Sequence, residues 1–217
     1  MSDFSRRNDI AIICGVEHIS NKNKEVFNYS ATMLPFNHGG FNNVLTDLRL
    51  KINYSPEEKR QITGRKHKIP ARRKNEKLRI YKWKGCIFTV FNCFELTDIS
   101  KRAKFKGNVD FVVAIEHNQD TEYFSNITES VARDIHSYVI QVNSSHFGDS
   151  RITQPAKSYK KDIVRIKGGI NTTILTSEID ISQLRKFQDK DFLLQKEHEY
   201  LKSTPPNFEM IKDRKVY

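Results

Sequence analysis

The sequence predicts a layered α/β protein, and three observations predict it. Short apolar runs at residues 10–16, 26–35 and 44–50 are separated by polar, Gly- and Asn-rich breaks, the pattern of strands joined by turns. Phe124, Ile127, Val131 and Ile135 recur at helical spacing over residues 121–137, lining one face of an amphipathic helix. That helix lies between two further apolar runs, 109–115 and 138–142. Strands alternating with a helix are the mark of an α/β layer architecture rather than a sandwich or a bundle.

In chain order, residues 10–16 (IAIICGV) form an unbroken apolar run, which predicts a strand buried on both faces. Residues 20–25 turn the chain into a second strand at 26–35, and Gly39-Gly40 with Asn42-Asn43 break it before a third at 44–50. Residues 60–84 then carry 11 Lys or Arg against the single acid Glu76, with Gly64 and Pro70 to interrupt a helix. This reads as a long exposed basic loop that ends in a strand at 78–83. Gly85 turns into the strand 86–93 (CIFTVFNC), the most strand-like segment of the chain. After the helix 121–137 and strand 138–142 come a turn-rich stretch, 143–150, and strand candidates at 162–167 and 173–181 around Gly168-Gly169. Residues 182–201 read as a helix, and Pro205-Pro206 opens a tail that packs on a neighbour or frays. The organisation expected is one domain over 8–201, with a basic insertion at 60–84 and a tail at 202–217.

The 217 residues include 37 Lys and Arg against 26 Asp and Glu, a formal charge of +11, which favours acidic partners. No apolar stretch approaches the roughly 20 residues of a membrane span, so the expectation is a cytoplasmic protein without a membrane partner. Cys14, Cys86 and Cys93 are odd in number and show no CxxC spacing, which argues against a disulfide framework and a thiolate zinc site. The seven histidines show no ligand spacing either; no metal and no cofactor are expected. Gly39-Gly40 and Gly168-Gly169 are hairpin turns rather than phosphate loops.

Cys93 ends a strand and is followed by FELTD. A thiol at such a turn is either a core residue or an exposed nucleophile, whose charge the backbone N–H groups of the following turn would stabilise. Position alone leaves both readings open. Lys51 also ends a strand, in RLKINYSPEE, with Glu58 seven residues later; each would ordinarily be a solvated charge.

Together these residues resemble the carbon–nitrogen hydrolase, or nitrilase, superfamily. The lysine in RLKINYSPEE, the cysteine in FTVFNCFEL and Gly148-Asp-Ser-Arg-Ile-Thr-Gln-Pro155 follow the family's order. NYSA at 28–31, VARD at 131–134 leading into YVIQVN at 138–143, and TSEIDI at 176–181 resemble further family segments. The resemblance covers roughly residues 10–185. It implies a partial four-layer αββα sandwich and a covalent mechanism, in which a thiolate attacks an amide or nitrile carbon and water then releases the acyl group. Cys93 would be the nucleophile, Lys51 the cation that stabilises the tetrahedral intermediate beside the Phe94 N–H, and Glu58 a supporting glutamate. Glu116, which ends the strand 109–115, would border the substrate pocket, although a plain strand-end polar cluster is an equal reading.

The family's general-base glutamate lies in an earlier strand–helix unit, which this chain begins too late to contain. Glu17 is the only glutamate near the first strand, and a Cys–Lys pair without a carboxylate would lose much of its rate. The resemblance therefore allows an active hydrolase, or a catalytically incomplete module completed by a homodimer or by a partner chain that supplies the missing strand and glutamate. VIQVNSSHFGDSRITQP also resembles the nitrilase-like domain fused behind bacterial reverse transcriptases of antiphage defence systems. The basic stretch suits that setting. Lys66, Lys68, Arg72, Arg73 and Lys74, with Tyr81 and Trp83 after them, could contact nucleic acid through phosphates and stacking, or form a solvated surface loop.

Overall fold

The computed structural model describes residues 1–71, 77–169 and 173–215, apart from the side chain of Glu17. The chain divides into two compact units, Met1–Lys77 and Leu78–Tyr217.

The first unit opens with helix α1 (Ser2–Asn8), which ends at Asp9 in the left-handed region, φ 54°. Strands β1 (Ile12–Ser20), β2 (Val26–His38) and β3 (Phe41–Leu50) make an antiparallel meander in that order, with β2 in the centre. Gly39 and Gly40, at φ 60° and 82°, close the β2–β3 hairpin between the paired His38 and Phe41. Two successive positive φ values are what a tight, right-twisted two-residue loop needs, and glycine adopts them without steric cost. The strand expected to be buried on both faces is instead β1, shifted towards the C-terminus and only partly covered, with Ile10 and Ile19 about half exposed. An edge strand has one neighbour, so an apolar run need not mean double burial. Full burial falls on β2 at residues 30–35.

Residues 60–64, expected to begin the exposed basic loop, instead complete helix α2 (Pro56–Gly64). Ser55 caps it: its hydroxyl accepts from the Glu58 N–H at 3.1 Å, and Glu58 Oε2 accepts from the Ser55 N–H at 3.3 Å. Pro56 occupies the first turn, where its missing N–H costs nothing. Ile62 is the apolar anchor, packed with Val26, Tyr54 and Ile69.

The second unit is a six-stranded sheet in sequential order: β4 (Ile80–Trp83), β5 (Cys86–Asn92), β6 (Phe111–Glu116), β7 (Tyr138–Asn143), β8 (Ser150–Thr153) and β9 (Asp162–Ile166). β5, β6 and β7 run parallel and the outer pairs are antiparallel. Helix α3 (Ile99–Ala103) follows β5. Helix α4 (Thr121–Val131), capped by Asp120, continues into a π-helical turn over Ala132–His136 and makes the β6-to-β7 crossover. Its apolar stripe meets the alternating inward positions of the sheet: Val131, Ala132 and Ile135 share one core with Ile87, Phe91, Val112, Ala114 and Val139. Residues two apart on a strand face the same way, which is why 112 and 114 both contribute.

Two expectations fail in this unit, and the alternatives left open for the tail are decided. Residues 173–180 form no strand, and Ile174 is 86% exposed; β-propensity is realised through packing on a sheet face, which this exposed run lacks. The single helix expected over 182–201 is two, α5 (Ile181–Gln188) and α6 (Phe192–Lys196); Asp189, Lys190 and Asp191 part them. Over its described residues the tail packs against its own unit. Arg214 is fully buried, donating to Asp110 Oδ1 at 2.9 Å, to the Gly107 carbonyl at 3.0 Å and to Gln188 Oε1 at 2.8 Å.

Gly148, in the motif glycine position, has φ +79°, and a Cβ there would lie 1.6 Å from the Lys167 carbonyl oxygen. The β7–β8 loop and the chain after β9 touch backbone to backbone at this point, which only glycine permits.

Candidate active site

In the first unit Lys51 and Glu58 meet. Lys51 follows β3 and Glu58 lies in the first turn of α2, and the capping box orients the glutamate. Lys51 Nζ donates to Glu58 Oε2 at 2.6 Å, with the lysine 4% exposed. Asn28 Nδ2 donates to Glu58 Oε1 at 2.8 Å, and His18 Nε2 lies 3.0 Å from the same oxygen. Burial alone would push the Glu58 carboxyl up, but the His18 hydrogen bond, the Lys51 charge and the Lys51 and Asn28 hydrogen bonds together hold it at about 2. At neutral pH this glutamate is a fixed anion that pins a nearly buried ammonium. Asn28 and His18 were not singled out in the sequence, although Asn28 opens the NYSA segment.

In the second unit the C-terminal ends of the parallel strands β5, β6 and β7 carry Asn92, Glu116 and Asn143, with Asn92 paired to Ile115 and Glu116 to Asn143. This is the end of an open α/β sheet where ligands bind. Cys93 follows Asn92 directly and begins a 3-10 turn, Cys93–Thr97, with φ +49°. A left-handed conformation costs a non-glycine residue roughly 1 kcal/mol or more, so the turn around it holds it there. Buried Glu95 supplies part of that hold, its Oε2 accepting from the Asn92 N–H at 2.8 Å. Phe94 is half-buried in the first turn, where helical N–H groups lack intrahelical acceptors.

Glu116 points into the protein. Gln141 Nε2 donates to its Oε2 at 3.0 Å, and its Oε1 is buried without a hydrogen-bond partner among the described residues. Burial pushes this carboxyl up to about 8, against the pull of the Gln141 hydrogen bond and the Arg151 charge. Gln141 Oε1 accepts in turn from Thr128 at 2.9 Å and from Arg151 Nε at 3.1 Å. Fully buried Arg151 stands 3.6 Å from each of Glu129, Asp149 and Asp162. Of this network only Glu116 was singled out in the sequence; Arg151 appeared there only as part of the Gly148–Pro155 motif. Asn143 is similarly hidden: its side chain donates to the Asn118 and Gly148 carbonyls and accepts from the Asn118 and Ser144 N–H groups.

Lys66 and Lys68 are exposed just beyond α2. Arg72, Arg73 and Lys74 lie outside the described residues, as does the side chain of Glu17, whose backbone is in β1. Among the described residues no group of three His, Cys, Asp or Glu comes together to hold a metal ion, and no helix is long and apolar enough to cross a membrane.

No family model and no curated protein matches the sequence. Solved structures do match in three dimensions. A Cys-to-Ala variant of an amidase from Nesterenkonia, of the nitrilase superfamily, gives a TM-score of 0.56 at 13% identity, covering 77% of this chain and 61% of that one. A Glu-to-Gln variant of the Nesterenkonia amidase, carrying the product of Michael addition of acrylamide at its active-site cysteine, gives 0.55 at 13% identity, with 77% and 64% covered. A CN-hydrolase superfamily protein from Xanthomonas campestris, with an arsenic adduct in its active site, gives 0.62 at 14% identity, with 86% and 69% covered. The fold is the nitrilase-like α/β sandwich. This chain spans about three fifths of the length of the first of these amidases. Within the nitrilase-like fold, Cys93 follows β5, an interior strand parallel to β6, and the Gly148–Pro155 motif forms the turn into β8, which β6 and β7 separate from β5.

Proposed function

We propose that the chain is a carbon–nitrogen hydrolase of the amidase or nitrilase type, working through a covalent intermediate on Cys93. The observation that carries this reading is the conformation of Cys93: a half-buried thiol held at φ +49°, between a parallel strand and a 3-10 turn, in a fold it shares with amidases that have an active-site cysteine. In the proposed reaction the thiolate sulfur adds to the amide carbon, and the amine leaves with a proton. Water then cleaves the thioester to the acid and restores the thiol. Lys51 is assigned the stabilisation of the tetrahedral intermediate with the Phe94 N–H, and Glu58 the positioning of Lys51. A carboxyl that titrates near 2 suits a permanent anion and not a proton shuttle at neutral pH. The thiol proton then needs another acceptor, and Glu17→Gln tests whether Glu17 is that group.

Acrylamide is the direct probe, since it adds to the active-site cysteine of a structural neighbour. Burial pushes the Cys14 and Cys86 thiols up, and Asp110 adds to the effect at Cys86, so both should react slowly near neutral pH. Mass spectrometry after brief exposure should find one adduct, on Cys93. Equal slow labelling of all three cysteines would overturn the assignment.

A second reading keeps the fold without the chemistry, as a nucleic-acid-contacting module. The observation favouring it is the cluster of exposed cations Arg65, Lys66 and Lys68 at the end of α2. It requires salt-dependent binding to single-stranded DNA or RNA that weakens when Lys66, Lys68, Arg72, Arg73 and Lys74 are neutralised. Absence of binding at low salt removes it.

A further inference from the structure

The second unit contains a pocket of about 120 Å³ whose lining includes Glu129, Arg133, Gln154, Ser158, Lys161 and Lys202. It is not at the Cys93 end of the sheet. Thr153, which also lines it, pairs with Val139 at the start of β7, whereas Cys93 follows the C-terminal end of β5, which runs parallel to β7 through β6. The two places are at opposite ends of the strands.

The charge balance of this pocket sets what can occupy it. Glu129 is its one acid among the lining residues, and that carboxylate is already shared: Lys161 Nζ donates to it at 2.6 Å, and buried Arg151 stands 3.6 Å away. Two further cations line the pocket, and among the described residues neither pairs with Glu129. Among the described residues Arg133 engages its Nε alone, in an exposed pair with Asp134 at 3.0 Å, and such surface pairs contribute little. Lys202 is tied down through its backbone, whose N–H donates to the Pro155 carbonyl at 3.0 Å and whose carbonyl takes a 2.8 Å hydrogen bond from His136 Nε2. Its ammonium makes no ion pair among the described residues. A guanidinium fork, an ammonium and the Ser158 hydroxyl around a small concave space are the donor set for a tetrahedral oxyanion.

We propose that this pocket binds a phosphate group, as a free phosphomonoester or as the terminal phosphate of an oligonucleotide. The site is independent of the Cys93 chemistry, because none of its residues belongs to that site.

The 217-residue chain should be titrated with inorganic phosphate at low ionic strength while amide NMR signals are followed. The signals of Gln154, Ala156, Ser158 and Lys161 should shift saturably. Lys202→Gln and Arg133→Gln should each weaken binding about tenfold, whereas Lys202→Arg should retain it. Equal urea midpoints would show that the variants fold. A 5′-phosphorylated dinucleotide that competes where its unphosphorylated form does not would assign the terminal phosphate of an oligonucleotide; competition by a free phosphomonoester alone would assign the small molecule. Absence of phosphate-dependent shifts at these residues, or undiminished binding by the Lys202→Gln, Arg133→Gln double variant, overturns the proposal.

Discussion

Lys51 and Glu58 form a 2.6 Å ion pair in which both side chains are largely withdrawn from solvent, 3% and 12% exposed. The pair is tied to helix formation, because the same carboxylate closes the capping box of α2. Glu58 titrates near 2 when folded against an ordinary 4.5. Its contribution to stability is therefore complete above about pH 4.5 and is lost as the pH falls through the folded value. By linkage that contribution is at most about 3 kcal/mol. Glu58→Gln should cost about 3 kcal/mol at pH 7, since it also strands the Lys51 charge, and much less at pH 2.5. Urea unfolding at pH 2.5, 5 and 7 checks this, and a loss that does not change with pH would refute the assignment of the pair as an ionic anchor.

The left-handed φ of Cys93 makes a second prediction that is independent of catalysis. At an ordinary position alanine outranks glycine because the unfolded glycine chain has more freedom to lose. At φ +49° the order should invert: Cys93→Gly should be more stable than Cys93→Ala by about 1 kcal/mol. Thermal unfolding of the two variants decides it. The usual order, with alanine ahead, would mean that the turn does not hold residue 93 in this conformation.

Much of this architecture was legible because apolar periodicity and turn residues are local signals. The meander, the 121–137 helix and the parallel strands follow from them, and so does the strand-end position of Cys93. What escaped was set by pairing between distant residues. α2 was hidden behind the basic composition of residues 60–84, although Ser55-Pro-Glu-Glu58 already held its cap signal. The tail's docking depends on Asp110, about a hundred positions earlier, and no pattern in residues 207–215 announces it. Glu116 stood out only as a strand-end carboxylate and Arg151 only within a motif; that Gln141, Thr128 and three carboxylates close around them was not legible. A buried polar network has no periodicity to read.

Glu116 offers a third test, opposite in sign to Glu58. Its folded carboxyl titrates at about 8, whereas the unfolded chain's titrates near 4.5. Below pH 4.5 both states hold the proton and there is no penalty. As the pH rises from 4.5 through 8 the unfolded state gains by releasing it, so stability falls by about 4 kcal/mol across the interval. Glu116→Gln should remove that slope and make the variant the more stable protein at pH 9, with little advantage at pH 4.5. Denaturant midpoints at pH 4.5, 7 and 9 measure it; parallel profiles for variant and parent would show that the carboxyl is ionised in the fold.

Asp110 answers two buried guanidinium groups at once. Its Oδ1 accepts from Arg185 Nε at 2.8 Å and Arg214 Nε at 2.9 Å, and its Oδ2 from Arg185 Nη2 at 2.6 Å and the Ile87 N–H at 2.7 Å. One carboxylate thus joins the start of β5, helix α5 and the C-terminal segment. Asp110→Asn keeps the shape and removes the charge, leaving Arg185 and Arg214 together without their counter-ion, which should cost about 3–5 kcal/mol. The segment around Arg214 should loosen first, because Asp110 is its buried charge partner, whereas the Lys82–Asp213 and Lys215–Asp189 pairs that also hold it are exposed. Trypsin should then cut at Lys212 or Arg214 before the rest of the unit opens. Adding Arg214→Met to Asp110→Asn removes one of the two stranded charges, so the double variant should be more stable than the sum of its single changes by about 1 kcal/mol or more. Strict additivity, with the segment as protected as in the parent, would mean that Asp110 is not the anchor of the C-terminal segment.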